Sequence, residues 1–204
     1  MSKMIPDLEG YFRQFVPSRD SLVLELEEEA RQEGIPIVGP VVAELLYILV
    51  RASHAAQILE LGTATGYSAI YLARACQEFD GRVITLENDS GMANRARANF
   101  EKAGLADRIQ VRAGDAMEQM AEMSEPFDFI FMDIDKEGYA GVLPHCTRLL
   151  KSGGLLVVDN VGFSAAEDFN SVISSSPQWR TLHLLSHLPL HSPEKDGLCL
   201  ALRI

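Results

Sequence analysis

The chain has 204 residues, of which 47% are hydrophobic, and a formal net charge of -11. Its length suits one α/β domain over residues 1–204, with a full core, and is short for two. The acidic charge argues against broad binding to nucleic acid or to an anionic membrane, which favours a small-molecule partner. No apolar run reaches membrane-spanning length, and residues 1–10 do not resemble a secretory signal. Three widely spaced cysteines without a CxxC pair predict reduced thiols and a cytoplasmic location.

The predicted elements alternate between strand and helix from residue 56 onward. Before that point, residues 1–55 carry two amphipathic helices, at about residues 18–32 and 40–52, which are expected to form a packing layer over the sheet, to cover the cofactor site, or to do both. Strands are predicted at residues 57–61, 82–86, 108–112, 127–132, 155–158, 180–185 and 198–204, and core helices at residues 67–77, 90–103, 138–150 and 163–176. This alternation predicts a doubly wound, mainly parallel sheet over residues 56–204, with the last two strands as an antiparallel pair at its edge.

A glycine-containing turn from Glu60 to Gly66 joins the first strand to the next helix. Gly62 and Gly66 allow a tight turn and a close approach by a ligand, at the strand ends where such sheets bind ligands. A dinucleotide site would normally show GxGxxG, but here Ala64 replaces the middle glycine and Glu60 adds a carboxylate. That carboxylate suits a cationic ligand such as S-adenosylmethionine better than a pyrophosphate.

Two further strand ends carry candidate cofactor contacts. Glu87 closes the second strand, where an acid can accept hydrogen bonds from both ribose hydroxyls. Asp115 and Ala116 follow the third strand and suggest a polar contact to adenine, although Gly-Asp is also a common turn. The alternative interpretation is that Glu60 and Glu87 are ordinary solvated strand ends.

A metal-binding group is predicted at the ends of the fourth and fifth strands. Asp133 follows the fourth strand and Asp159-Asn160 the fifth, and parallel strands bring such ends to one rim. Two carboxylates and an amide oxygen suit Mg²⁺. Lys136 lies three residues after Asp133, where a nearby dication would favour its neutral form and allow it to act as a general base. The alternative for Lys136 is a surface lysine or a salt bridge to Asp135.

Together these motifs resemble the cation-dependent O-methyltransferases, which include animal catechol and plant caffeoyl-CoA O-methyltransferases. Residues 59–68 are similar to the family's cofactor motif, residues 133–136 to its Asp-x-Asp-Lys motif, and residues 196–198 to its C-terminal Asp-Gly signature. The resemblance implies a seven-stranded, Rossmann-like class I methyltransferase fold with an antiparallel C-terminal strand. It implies Mg²⁺, Mn²⁺ or Ca²⁺ at Asp133, Asp159 and Asn160, with Lys136 near the reacting hydroxyl. The implied cofactor contacts are Val38, Glu60, Gly62, Thr63, Tyr67, Ser68, Glu87, Asp115, Ala116 and Asp133.

The leading functional hypothesis is methylation of one of two vicinal hydroxyls on a small aromatic, phenolic compound. Three alternatives remain open: methylation of a hydroxylated uridine in transfer RNA, an NAD-dependent oxidoreductase, and a non-catalytic cofactor-binding protein. The segment after Asn160 is shorter than is typical of the family. We therefore expect a substrate mouth that is more open, or one completed by another element.

The remaining aromatic and histidine residues carry weaker signals. Tyr11, Phe12 and Phe15 form an aromatic cluster that either packs on the chain or contributes to a dimer, and relatives of this type predict a homodimer. The histidines show no metal-binding spacing, so we interpret them as structural or exposed; they are His54, His145, His183, His187 and His191.

Overall fold

The computed structural model describes residues 3–204 and contains one seven-stranded sheet. Its strands are β1 Gln57–Leu61, β2 Arg82–Glu87, β3 Ile109–Ala113, β4 Phe127–Met132, β5 Leu150–Val158, β6 Trp179–His187 and β7 Lys195–Arg203. The strand order is β3-β2-β1-β4-β5-β7-β6, and β7 runs antiparallel to both of its neighbours. The predicted Rossmann-like, mainly parallel sheet with an antiparallel C-terminal strand is confirmed.

The predicted antiparallel pair of final strands at the sheet edge is also observed: β7 inserts between β5 and β6 and leaves β6 outermost. One detail of the sheet differs from the sequence-based prediction. The fifth strand begins at Leu150 and not at residue 155, so Ser152–Gly154 lies inside β5, whose pairing with β4 shifts register there. Gly153 has a φ of 81°, and this local kink lets one strand continue across residues that resemble a turn.

Eight α-helices accompany the sheet in the described part of the chain. They are α1 Leu8–Arg13, α2 Ser21–Glu33, α3 Gly39–Ser53, α4 Tyr67–Cys76, α5 Ser90–Lys102, α6 Ala116–Glu122, α7 Tyr139–Leu149 and α8 Glu167–Ser175. The sequence pattern did not predict α1 and α6, which have only six and seven residues. Such short helices show too little periodicity to be recognised. None of the helices in residues 3–204 is long and apolar enough to cross a membrane.

The sheet is buried on both faces by these helices. Along β4, Phe129 and Phe131 pack into the layer that includes α3 and α4. Ile130 and Met132 point the other way, into the layer that includes α7 and α8. The nearly continuous apolar sequence of β4 follows from this double coverage, as expected of a central parallel strand.

Helix α2 is fastened to the core by apolar burial and by ion pairs. Val23 and Leu26 are buried in the same layer as α3 and α4. Arg95 on α5 pairs with Glu29 at 2.9 Å and with Glu33 at 2.6 Å. Because partly exposed pairs contribute little individually, the buried side chains provide most of the attachment.

Candidate active site

A cavity of about 370 Å³ opens at the carboxyl ends of the central strands. It collects residues that follow or end β1, β2, β3, β4 and β5, so it lies where ligands bind in open α/β sheets. Most of the predicted site residues line it: Val38, Gly62, Thr63, Tyr67, Ser68, Glu87, Ala116, Asp133, Lys136, Asp159 and Asn160. Glu60 and Asp115 are the two predicted residues outside this lining.

The turn after β1 is held by the carboxylate of Glu87. Its Oε2 accepts hydrogen bonds from the backbone N–H groups of Thr63 and Ala64, at 3.1 and 2.8 Å. Ala64 has a φ of 45°, in the left-handed region that glycine occupies more readily. Glu87 therefore organises the turn while also facing the cavity.

Glu60 lies within β1 and is fully buried, so its side chain does not line the cavity. Its Oε2 accepts a hydrogen bond from the hydroxyl of Thr85 at 2.6 Å, and Thr85 in turn contacts the hydroxyl of Thr63 at 2.5 Å. Within residues 3–204, its Oε1 has no hydrogen-bond partner. Burial raises the pKa of Glu60 to about 8. Glu60 thus supports the turn indirectly, through the hydroxyl groups of Thr85 and Thr63.

The Asp115 side chain forms a hydrogen bond with the backbone of the helix that follows β3. Its carboxylate accepts a hydrogen bond from the N–H of Glu118 at 3.0 Å, which caps the first turn of α6. Gly114 and Ala116, on either side of it, line the cavity. The Asp115 side chain consequently fixes the position of the cavity wall.

Asp133 and Asp159 stand side by side, because their strands pair in register. Met132 of β4 is opposite Val158 of β5, and the N–H of Asp159 donates to the carbonyl of Met132 at 3.0 Å. Burial and the neighbouring charge of Asp159 raise the pKa of Asp133, against the opposing effect of Lys136. The Lys136 Nζ lies 3.1 Å from Oδ1 of Asp133, so its partner is Asp133 and not Asp135.

Asn160 is oriented by the Asp-Gly segment that begins β7. Its Nδ2 donates to Oδ2 of Asp196 at 2.6 Å. The other Asp196 oxygen accepts from the N–H groups of Gly162 and Gly197, at 3.1 and 2.6 Å. With its amide nitrogen committed to Asp196, the Asn160 side chain keeps its carbonyl oxygen for a ligand.

His191 belongs to the site, although the sequence pattern suggested only a structural or exposed residue. It lines the cavity and is buried, with its Nε2 2.8 Å from Oδ2 of Asp159 and its Nδ1 2.7 Å from the carbonyl oxygen of Pro193. Burial lowers the pKa of His191, but its hydrogen bond to Asp159 and nearby negative charges outweigh that effect and raise it overall. The one signal available in the sequence was its place five residues before Asp196.

Residues 18–176 match the protein family described as O-methyltransferase. The chain belongs to this family. A catechol O-methyltransferase of Niastella koreensis is 38% identical over 163 residues, covering 77% of this chain and 70% of that protein. A catechol O-methyltransferase of Mycobacterium tuberculosis is 36% identical over 151 residues, covering 72% and 67%.

Solved structures agree with this family membership. The O-methyltransferase of Bacillus cereus, crystallised in complex with SAH, is 30% identical. It superposes with a TM-score of 0.85 and covers 97% of each chain. Family, fold and cavity together identify this O-methyltransferase as an S-adenosylmethionine-dependent enzyme. The membership excludes the NAD-dependent oxidoreductase and the non-catalytic binding protein that the sequence left open.

Proposed function

We propose that this enzyme methylates one hydroxyl of a catechol-like small molecule, with a divalent cation held at Asp133, Asp159 and Asn160. One observation carries the proposal: these residues share a cavity with the cofactor turn, and Lys136 lies beside Asp133. The catechol O-methyltransferases among its relatives support a vicinal-diol acceptor.

The cavity offers suitable groups for each part of S-adenosylmethionine, which supplies the methyl group. Helix α4 begins at Tyr67 without a side-chain cap, so the N-terminal N–H groups and the Ser68 hydroxyl suit the carboxylate of the amino-acid portion. Glu87 suits the ribose hydroxyls, and Gly114 and Ala116 border the space for the adenine. Val38, Gly62, Thr63 and Asp133 complete the proposed contacts, while Glu60 and Asp115 act indirectly through the backbone and hydroxyls they hold.

The proposed metal ligands fit a hard cation such as Mg²⁺, Mn²⁺ or Ca²⁺. Two adjacent carboxylates and an amide oxygen meet at one rim, and that amide is turned by Asp196. Within residues 3–204 no three His, Cys, Asp or Glu side chains form a complete metal site, so the Asn160 oxygen is an essential part of the set. When bound, a divalent cation lowers the pKa of a hydroxyl that it contacts.

Lys136 is the proposed general base. Its amino group reaches into the cavity, and Asp133 holds it there at 3.1 Å. From this position Lys136 accepts the proton of the reacting hydroxyl, while Asp133, Asp159 and Asn160 at the strand ends orient the acceptor oxygens. In the part of the chain that the structure describes, Lys136 is the one lysine or arginine that lines this cavity.

A small phenolic acceptor is favoured over transfer RNA, the alternative acceptor within the family. The net charge of -11 and the scarcity of basic residues in the described cavity lining both disfavour a polyanion. We place the enzyme in the cytoplasm, because all three cysteines are free and buried. No membrane partner is proposed.

We also propose a homodimer that covers the aromatic cluster of α1 and the turn that follows it. Tyr11, Phe12 and Phe15 pack on one another with ring centroids 5.0 to 6.3 Å apart, yet Phe12 and Phe15 remain 56% and 58% exposed. Exposed aromatic groups of this kind commonly mark interfaces. Light scattering after size-exclusion should give a dimer mass, and a monomer at micromolar concentration would refute this proposal.

The decisive experiment is a methyl-transfer assay over a panel of catechols, with and without chelator. We expect turnover that chelation abolishes and divalent cation restores. Lys136→Ala should lower kcat by about 10²- to 10⁴-fold while S-adenosylhomocysteine binding is retained. Lys151→Ala is a matched control, because Lys151 pairs with Asp128 at the opposite end of β4. Unchanged turnover in Lys136→Ala would disprove the base assignment, and chelator-resistant turnover would disprove the metal requirement.

A further inference from the structure

We propose that a second groove beside the catalytic cavity receives an apolar, uncharged substituent of the acceptor, so that the enzyme prefers catechols that carry an alkyl or aryl group. This distal groove has a volume of about 440 Å³ and lies between α2, residues 34–37 and Leu190 of the β6–β7 loop. The inference rests on the proposed function, because it concerns the same acceptor. It adds the class of substituent that the acceptor carries.

The distal groove and the catalytic cavity share part of their walls. Four residues line both of them: Ile35, Pro36, Ile37 and Ser192. Ser192 follows His191, which contacts Asp159, so one shared wall lies next to the strand ends where the catechol oxygens are proposed to bind. A ring held there by its two oxygens directs a substituent on its opposite side away from those strand ends. The distal groove provides adjacent space for such a substituent.

Three exposed apolar side chains from separate segments converge on the distal groove. They are Leu24 of α2, which is 45% exposed, Pro36 between α2 and α3, and Leu190 of the β6–β7 loop, which is 49% exposed. A single exposed leucine needs no explanation, but apolar groups gathered around a cavity next to an active site are typical of ligand contacts. An apolar substituent that covers them removes their surface from water, which favours binding.

The backbone of Leu190 is strained at this groove. Its φ of 68° lies in the left-handed region, which is disfavoured for leucine. Gly39 packs against the Leu190 carbonyl so closely that a side chain there would overlap it, and Glu194 accepts a hydrogen bond from the Leu190 N–H at 3.0 Å. Residues held in such conformations cluster at functional sites, including ligand clamps. The strain is therefore a second, independent indication that Leu190 contacts a ligand.

The charged groups that line the distal groove already have partners, so the groove suits a neutral substituent. Glu27 accepts hydrogen bonds from Arg19 at 3.1 Å and from Tyr67 at 2.7 Å. Glu28 pairs with Arg31 at 2.6 Å. In the described part of the chain, Arg31 is the one lysine or arginine that lines the groove. A polyanionic CoA thioester would require several unpaired basic groups, which favours an alkyl or aryl catechol as the acceptor.

The test compares kcat/KM of the full-length enzyme, with Mg²⁺ present, for catechol and its methyl, propyl and pentyl derivatives substituted para to one hydroxyl. We expect kcat/KM to rise about two- to fourfold for each added methylene, because each CH₂ group moves from water into the groove. Leu24→Asp places a charge in the groove at an exposed position. It should lower the ratio of kcat/KM for pentylcatechol to that for catechol at least about tenfold.

Val172→Asp is the matched control. Val172 lies on α8 and is 51% exposed, but it lines neither the distal groove nor the catalytic cavity. This variant should keep the wild-type ratio, because its new charge is remote from the acceptor. The series measured on the wild type is decisive even if Leu24→Asp folds poorly.

The other outcomes separate this inference from the proposed function. Turnover of catechol without a rise along the series would overturn the distal groove as a binding site and leave the proposed function intact. A wild-type ratio in Leu24→Asp would also overturn it, because the substituent would then bind elsewhere. A higher kcat/KM for caffeoyl-CoA than for pentylcatechol would overturn the neutral, apolar substituent. No turnover of any catechol would overturn the proposed function itself, and this inference with it.

Discussion

Gly62 lies directly against the backbone of Asp133, so that a side-chain carbon at Gly62 would overlap the Asp133 carbonyl oxygen. Strand pairing produces this contact, because the N–H of Asp133 donates to the carbonyl of Leu61 at 2.9 Å. The cofactor turn and the proposed metal rim are therefore in van der Waals contact through their main chains. A displacement of either one must displace the other.

We predict that Gly62→Ala lowers the free energy of unfolding by about 2 kcal/mol or more. The new side-chain carbon would overlap the Asp133 carbonyl oxygen, and alanine would also have to adopt the positive φ of Gly62. It should also weaken binding of S-adenosylhomocysteine, measured by calorimetry. Gly104→Ala is the control, because Gly104 has a φ of 67° but no atom within 4 Å of the added carbon. That variant should lose only about 1 kcal/mol and bind normally. Equal losses in the two variants would contradict the close approach.

The buried carboxyl of Glu60 predicts a stability that falls as pH rises. Its pKa is about 8 in the folded protein against an ordinary value of 4.5, so between these values the folded state holds a proton that the unfolded state has released. Stability should decline there by at most about 1.4 kcal/mol per pH unit from this group. Glu60→Gln cannot ionise and should remove that contribution. Urea unfolding from pH 5 to 9 tests this, and parallel curves for the two proteins would contradict it.

The Tyr67 hydroxyl links the cofactor turn to helix α2, and its removal should loosen that link. It donates to Oε1 of Glu27 at 2.7 Å, while Arg19 also binds Glu27. Tyr67→Phe should cost about 1 kcal/mol of stability and weaken S-adenosylhomocysteine severalfold with little change in kcat. Tyr71→Phe, one turn further along α4, should leave cofactor binding unaltered. Identical binding by Tyr67→Phe and wild type would show that α2 does not hold the cofactor through this bond.

At Ala64 we predict the opposite effect, because replacing this residue with glycine should stabilise the folded protein. Its φ of 45° lies in the left-handed region, where a side chain is disfavoured. Ala64→Gly should relieve this strain in the folded state, and the greater freedom of glycine in the unfolded chain should offset part of the benefit. The net increase in the free energy of unfolding should be up to about 1 kcal/mol. Thermal unfolding would measure the gain. A loss of more than about 1 kcal/mol would mean that the methyl group makes contacts that outweigh the strain.

The sequence predicted most of the strands and much of the cavity because these depend on local pattern and parallel topology. Asp133 and Asp159 are neighbours simply because each follows a central strand by one residue. Glu60 was different: its place beside the turn suggested a ligand contact, but it still belongs to β1, where every residue from Ile58 to Leu61 is buried. Strand burial, not proximity in sequence, decided its environment.

His191 could not be placed from sequence, because its position depends on contacts between distant segments. It lies in the loop between β6 and β7, and a loop sequence does not indicate which part of the fold it packs against. The loop is held against the start of α3, where Gly39 approaches the backbone of Leu190 too closely to accommodate a side chain. That contact spans about three quarters of the chain and leaves no periodic signal.

The insertion of β7 between β5 and β6 also determines when this enzyme can become active during its synthesis. The residues that orient Asn160 and approach Asp159 come from the β6–β7 hairpin and its loop, which follow β5 and the cofactor turn in the chain and are synthesised after them. Until then, β5 presents an open edge next to the proposed ligands. The nascent chain can therefore form the cofactor turn before β7 has been synthesised, but it can complete the proposed metal-binding group only afterwards.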